Sequence, residues 1–154
     1  MVEIGFYHLT DTALEAVLPV MLTRAVERGW RSELRGRDPA FMETLNRTLW
    51  KAGGDGFLPH GLVTEPHAER QPVLLTTGPA GDGRDALFLI DRAPYEPAEM
   101  VGFTRAAVLF DGHDDAAVGE AREAWRATVS AGLTAIYWAQ DDGRWVKKAA
   151  AGGA

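Results

Sequence analysis

Apolar positions along the chain alternate between short continuous runs and longer stretches with helical spacing, and the pattern changes at capping or breaking residues. Val2 to Leu9 is a continuous run with two aromatics, Phe6 and Tyr7, and predicts a buried opening strand. Leu14, Val17, Leu18, Met21, Leu22 and Ala25 then recur at helical spacing, with Thr12 and Glu15 placed as a capping box. Pro19 lies inside that stretch, so either the helix kinks there or its regular part begins near it. Arg31 to Arg35 reads as a weak strand with little alternation. Asp38 and Pro39 have the N-cap and first-position chemistry of a second helix, whose apolar side is Phe41, Met42, Leu45, Leu49 and Trp50. Phe57 to Leu62 reads as a short apolar loop and Val63 to Gln71 as a polar connection.

Val73 to Thr77 and Ala86 to Asp91 predict two strands, with Gly78 to Arg84 as the turn between them. A short helical signal near Glu99 leads to the buried strand Ala106 to Phe110. The most regular stretch follows, from Asp114 to Gln140: a helix ending at Gly132, then an apolar strand. At 100° per residue, Ala117, Ala121, Ala124, Thr128 and Ala131 fall within about 40° of one line. A stripe that small lets a helix sit close to a sheet. Val118, Trp125 and Val129 share one flank, rimmed by Arg122 and Arg126, while Glu120 and Glu123 lie on the other. Trp125 reads either as core, with the arginines as a solvated edge, or as part of a basic and aromatic surface. Strands alternating with helices, several of them continuously apolar, predict an α/β fold: a Rossmann-like three-layer α/β/α arrangement around a mostly parallel sheet.

Composition narrows the chemistry. The 154 residues are 46% hydrophobic and 25% charged, ordinary values for one globular domain. A net charge of −6 argues against nonspecific nucleic-acid binding as the main activity, so any anion site has to be a local basic patch. Arg105, Arg122 and Arg126 supply one candidate, and the run Arg24, Arg28, Arg31, Arg35 and Arg37 another. The absence of cysteine removes disulfides, thiolate metal sites and thiol catalysis, and suits a cytoplasmic location. No run approaches 18 apolar residues, so no membrane span is expected.

The catalytic inventory is thin. Ser32 and Ser130 are the only serines, and neither sits in a nucleophile elbow. Gly78 to Arg84 is glycine-rich but lacks the Gly-Lys-Ser/Thr ending of a phosphate-binding loop. Asp111, His113, Asp114 and Asp115 could be drawn as a metal site, yet carboxylates at a helix start are favoured by capping alone. No catalytic residue, metal site or cofactor is expected. The competing reading is a small α/β nucleotide- or metal-binding enzyme domain using the Gly78–Arg84 loop or the Asp111–Asp115 cluster. Apolar Trp50, Phe57, Leu58 and Pro59 bracket a glycine break and form a candidate partner patch.

An ordered set of short motifs then carries a resemblance. Phe6-Tyr7 in the opening strand is followed by Leu49-Trp50, Phe-x-Pro-His at Phe57 to His60, Pro72-Val73 and Pro94-Tyr95. Ala-Arg-Glu-x-aromatic-basic-Ala at Ala121 to Ala127 and Ala131-Gly132 complete the set. In this order the chain resembles the chi subunit family of bacterial DNA polymerase III from about residue 3 to residue 148. The resemblance implies one chi-like domain over residues 1–148 with a flexible tail at 149–154, no enzymatic activity of its own, and a cytoplasmic place in DNA replication. It implies two partners: the psi subunit of the clamp loader, and the acidic C-terminal tail of single-stranded DNA-binding protein. Tail-binding residues correspond to Arg122, Trp125 and Arg126, with Val118 and Val129 beside them; a lysine of some members lines up with Val118. Psi-facing residues correspond to Trp50, Phe57, Leu58, Pro59 and His60, a patch for which a helicase is an alternative partner. DNA is then contacted only indirectly, and no membrane is involved.

Overall fold

The computed structural model describes residues 2–51, 60–66, 68–80 and 83–152. In chain order the elements are β1 (Glu3–Leu9), α1 (Leu14–Glu27), β2 (Ser32–Arg35), α2 (Pro39–Lys51), β3 (His60–Leu62), β4 (Val73–Thr76), β5 (Ala86–Leu89), α3 (Pro97–Met100), β6 (Arg105–Asp111), α4 (Asp115–Ser130), β7 (Thr134–Asp141) and β8 (Arg144–Ala151). One eight-stranded sheet runs β3-β4-β2-β5-β6-β1-β7-β8. All neighbouring strands are parallel except β7 and β8, which form an antiparallel pair with a register shift at Tyr137/Trp138. Parallel neighbours need crossovers, which put helices on both faces and give the three-layer α/β/α fold expected from the sequence.

Alternation along β1 shows the two faces. Ile4 and Phe6 enter one core with Leu87, Leu89, Met100 of α3 and the small stripe of α4. Leu9 enters the other with Leu18 and Leu22 of α1 and Met42, Leu45 and Leu49 of α2. Leu18 and Leu22 are fully buried, each contributing about 1.5–3 kcal/mol by area.

Several local expectations give way to tertiary partners. The N-cap of α1 is Ala13, with no side-chain cap, so the Thr12–Glu15 capping box does not form. Instead Gln140 of β7 takes the site: its Oε1 accepts from the backbone N–H of Thr10 and Asp11 at 3.0 and 2.9 Å, and its Nε2 donates to Thr12 Oγ1 at 3.0 Å. Helix α1 is continuous through Pro19. Segments β4 and β5 do not pair with each other; both run parallel to β2, one on each side, so Gly78 to Arg84 belongs to a crossing connection and not to a hairpin turn. Residues 81 and 82 of that connection lie outside the described residues. The apolar loop expected up to Leu62 ends as edge strand β3. Strand β8 was not anticipated, and it continues through Ala149 to Ala151, the first part of the stretch expected as a tail.

Strand β2 lies near the middle of the sheet. Ser32 and Leu34 point to the α1/α2 side while Glu33 and Arg35 point to the other, where the two charges are 1% and 4% exposed. Arg35 is therefore unavailable to a surface basic patch. Its Nε donates to Glu33 Oε2 at 2.8 Å and its Nη1 pairs with Glu99 of α3 at 3.1 Å.

Candidate functional site: the outer ridge of helix α4

Helix α4 starts where Asp114, in extended backbone, turns its carboxylate onto the N–H groups of Ala116 and Ala117 at 3.0 and 3.3 Å. It ends with Gly132 at φ 78°, a conformation only glycine adopts cheaply, while Leu133 N–H bonds back to the Thr128 carbonyl at 3.1 Å. Between these ends Ala117, Ala121, Ala124 and Thr128 are buried against the sheet. Thr128 donates its hydroxyl hydrogen to the Ala124 carbonyl at 2.7 Å, which leaves its oxygen to accept from Tyr95. Ala131, the last of the small stripe, is exposed.

The flank next to the stripe forms a half-open ridge. Trp125 packs edge-on against Phe6 at 5.4 Å between ring centroids and against Tyr137 of β7 at 6.2 Å, yet remains partly exposed. Trp125 is thus a partly exposed ring packed against the core. Val118 is half-buried and Val129 is 36% exposed. The ridge therefore presents apolar surface at one helical spacing, with Tyr137 beneath.

Charges around it are sorted by pairing. Arg126 is ion-paired with Glu123, its neighbour three residues earlier on the helix, and Arg92 is ion-paired with Glu120. Arg122 is exposed and, among the described residues, has no carboxylate partner. Burial raises the Tyr137 phenol above its ordinary 10.0, and the charge of the nearby Arg122 guanidinium acts in the opposite direction. Tyr137 also hydrogen-bonds His8 Nδ1. Neither Tyr137 nor His8 was singled out from the sequence; pairing Arg122 with the alternate positions of the strand that follows its helix would have pointed to Tyr137.

Burial is the main cause of a raised phenol pKa at all three tyrosines, Tyr7, Tyr95 and Tyr137. Below the unfolded value of about 10 the phenols are neutral in both states, so this stabilisation is fully present there; it is lost as pH rises through the higher folded values. Thermal melts should show no tyrosine-linked change below about pH 9 and a falling melting temperature above about pH 10. Constant stability to about pH 12 would contradict this.

The second candidate surface is at the other end of the sheet. Trp50, at the end of α2, is 45% exposed and stacks on His60, with ring centroids 4.2 Å apart and planes tilted 32°. His60 itself is 1% exposed, with its Nε2 3.2 Å from the Asn46 carbonyl, so it supports Trp50 from below and adds little open surface. Phe57, Leu58 and Pro59 lie outside the described residues.

The features behind the enzyme reading have structural employment. Asp114 caps α4, Asp111 accepts from the His113 backbone at 2.9 Å, and His113 Nε2–H donates to the Thr10 carbonyl at 2.9 Å. Among the described residues no three His, Asp or Glu side chains are grouped to hold a metal. Arg84 of the glycine-rich connection is buried and donates to the Gln71 carbonyl at 2.5 Å. No described helix is long and apolar enough to cross a membrane.

Fold and surface together define a small Rossmann-like α/β domain with aromatic side chains at its surface on the α4 ridge and at the end of α2. The family model described as DNA polymerase III chi subunit, HolC, matches residues 1–135. The DNA polymerase III subunit chi of Pseudomonas aeruginosa is 32% identical over 114 residues, covering 71% of this chain and 77% of that protein. This chain belongs to the DNA polymerase III chi subunit family, and so to the accessory subunits of a replicative polymerase.

Proposed function

We propose that this chain is a non-catalytic bridge. It holds the acidic C-terminal tail of single-stranded DNA-binding protein on the outer ridge of α4, and the psi subunit of the clamp loader at the patch of Trp50, His60, Phe57, Leu58 and Pro59. The observation that carries the reading is the separation of the two surfaces. Helix α4 packs on β6, β1 and β7 from one face, whereas α2 packs on β3 and β4 from the other. At about 4.8 Å per strand the two lie roughly 20 Å apart along the sheet, on opposite sides of it. Two partners can occupy them at once without contact.

The ridge chemistry suits such a tail. Arg122 supplies a cation able to make two parallel hydrogen bonds to a carboxylate, and Val118, Trp125 and Val129 supply an apolar wall for an aromatic end residue. A contact of this size predicts micromolar affinity and sensitivity to salt, on the order of −8 kcal/mol. A helicase is the alternative occupant of the Trp50 patch.

The test is sequential calorimetry. Tail peptide titrated into free protein and into psi-saturated protein should give the same dissociation constant within about twofold, on the micromolar scale. Trp50→Ala, at an exposed position, should weaken psi about tenfold and leave tail binding unchanged. Competition between the two ligands would sink the bridge.

A further inference from the structure

We propose that the sheet face formed by β1, β7 and β8, on the side of α1, is a docking platform for single-stranded nucleic acid. Crossover α1 leads from β1 to β2, away from β7 and β8, and Tyr7, Trp138 and Trp145 stay partly exposed beyond it. The register brings them together. Tyr7 pairs with Trp138 across β1/β7, and Trp138 pairs with Lys147 across β7/β8. The Tyr7 and Trp138 rings are nearly parallel, 8° apart with centroids at 6.2 Å, and Trp145 stands edge-on to Tyr7 at 5.2 Å. Gly5 makes room for this: a Cβ there would lie 2.6 Å from the Tyr7 ring.

Cations border the aromatic row at both ends. Lys147 lies beside Trp138. At the other end the charges of Arg105 and Arg28 act on the Tyr7 phenol, and both guanidinium groups sit near the Trp30 ring, at 5.9 and 5.1 Å. Glu3 offsets Arg105 in part, at 3.6 Å. Among the described residues neither Arg28 nor Lys147 has a carboxylate partner.

Two near-parallel rings, a third standing edge-on to them and cations at the border suit an unpaired strand. Every base has a flat face to stack, and phosphates follow at regular intervals. An acidic peptide would match the charge but not the near-parallel rings. Trp138, Trp145 and Lys147 also lie beyond the residues matched by the family model. The platform adds a direct contact to the indirect one that the family resemblance implies, and it is separate from the α4 ridge, which lies on the other face.

The experiment is fluorescence anisotropy with a labelled oligothymidylate at low ionic strength, using the full chain. Binding is expected, with a slope of about −2 in log affinity against log salt if Arg28, Arg105 and Lys147 each meet a phosphate. Lys147→Glu, at an exposed position, should weaken binding about fivefold or more, and Trp138→Ala about tenfold. Arg122→Ala should leave it unchanged. No binding at low salt overturns the proposal, as does equal binding by Lys147→Glu, loss with Arg122→Ala, or a Lys147-dependent preference for an acidic peptide over the oligonucleotide. A dimer in light scattering that Lys147→Glu dissociates would overturn it in favour of pairing between β8 edges.

Discussion

Replacing Arg35 with alanine should destabilise the fold by about 3–5 kcal/mol, a large share of the roughly 5–15 kcal/mol that holds a domain together. The guanidinium bridges two carboxylates, reaching Glu33 at 2.6 Å and Glu99 at 3.1 Å, and its side chain is only 5% exposed. Removing it strands the Glu33 carboxylate, 1% exposed, beside apolar Leu87 and Leu89 in the middle of the sheet. Desolvating an unpaired charge costs more than the lost pair gains, so the cost comes mainly from what is left behind. Urea unfolding should show a lower midpoint with an unchanged slope. Replacing both partners with apolar residues of similar volume, Glu33→Leu with Arg35→Met, should recover most of the loss. A loss below about 1 kcal/mol for Arg35→Ala would falsify this account of β2.

Replacing Arg122 with alanine should weaken binding of the single-stranded DNA-binding protein tail by roughly thirtyfold, about 2 kcal/mol, with an unchanged circular dichroism spectrum. Arg126 cannot substitute for it at full strength, because Glu123 already holds that guanidinium. Arg122 is exposed, so its removal leaves no buried group unpaired in the free protein. Arg122→Lys keeps the charge and loses the planar two-point contact, so an intermediate loss is expected. Glu123→Gln releases Arg126 and should strengthen tail binding modestly. A readout without any ligand checks that the change is local: since Arg122 lowers the Tyr137 phenol pKa, Arg122→Ala should shift the ultraviolet titration of that tyrosine further up. Unchanged tail affinity in the alanine variant would remove α4 as the tail site.

The two candidate surfaces were legible to different degrees. On α4, periodicity alone placed Val118, Trp125 and Val129 on one flank with the arginines, since a helix maps sequence onto a surface by a fixed angle. The same spacing puts Glu123 three residues before Arg126, where the two pair, and puts no acid three or four residues from Arg122. Helical spacing missed Tyr137, whose place against Trp125 depends on how α4 lies across β7. At the other patch, His60 read as part of a short apolar loop because a three-residue edge strand carries too little pattern to be seen. Its pairing with β4 and its place under Trp50 bury it.

Strand β2 shows the same limit from the other side. Ser-Glu-Leu-Arg reads as a weak, polar strand, yet all four residues are buried near the centre of the sheet. Glu33 and Arg35 neutralise each other two residues apart on one face, and only the third partner, Glu99 of α3, completes the arrangement.

By itself the sequence determined the α/β class, the positions of the main helices, the small stripe that seats α4 and the family of the chain. The helices and the stripe rest on spacing within one element, where geometry is set by the backbone, and the family rests on the resemblance carried by ordered motifs along the chain. Tertiary structure alone decided the strand order, the splitting of β4 and β5 around β2, and the capture of the α1 entrance by Gln140. Each of those is a contact between residues distant in the chain, chosen by competition among partners that local patterns do not contain.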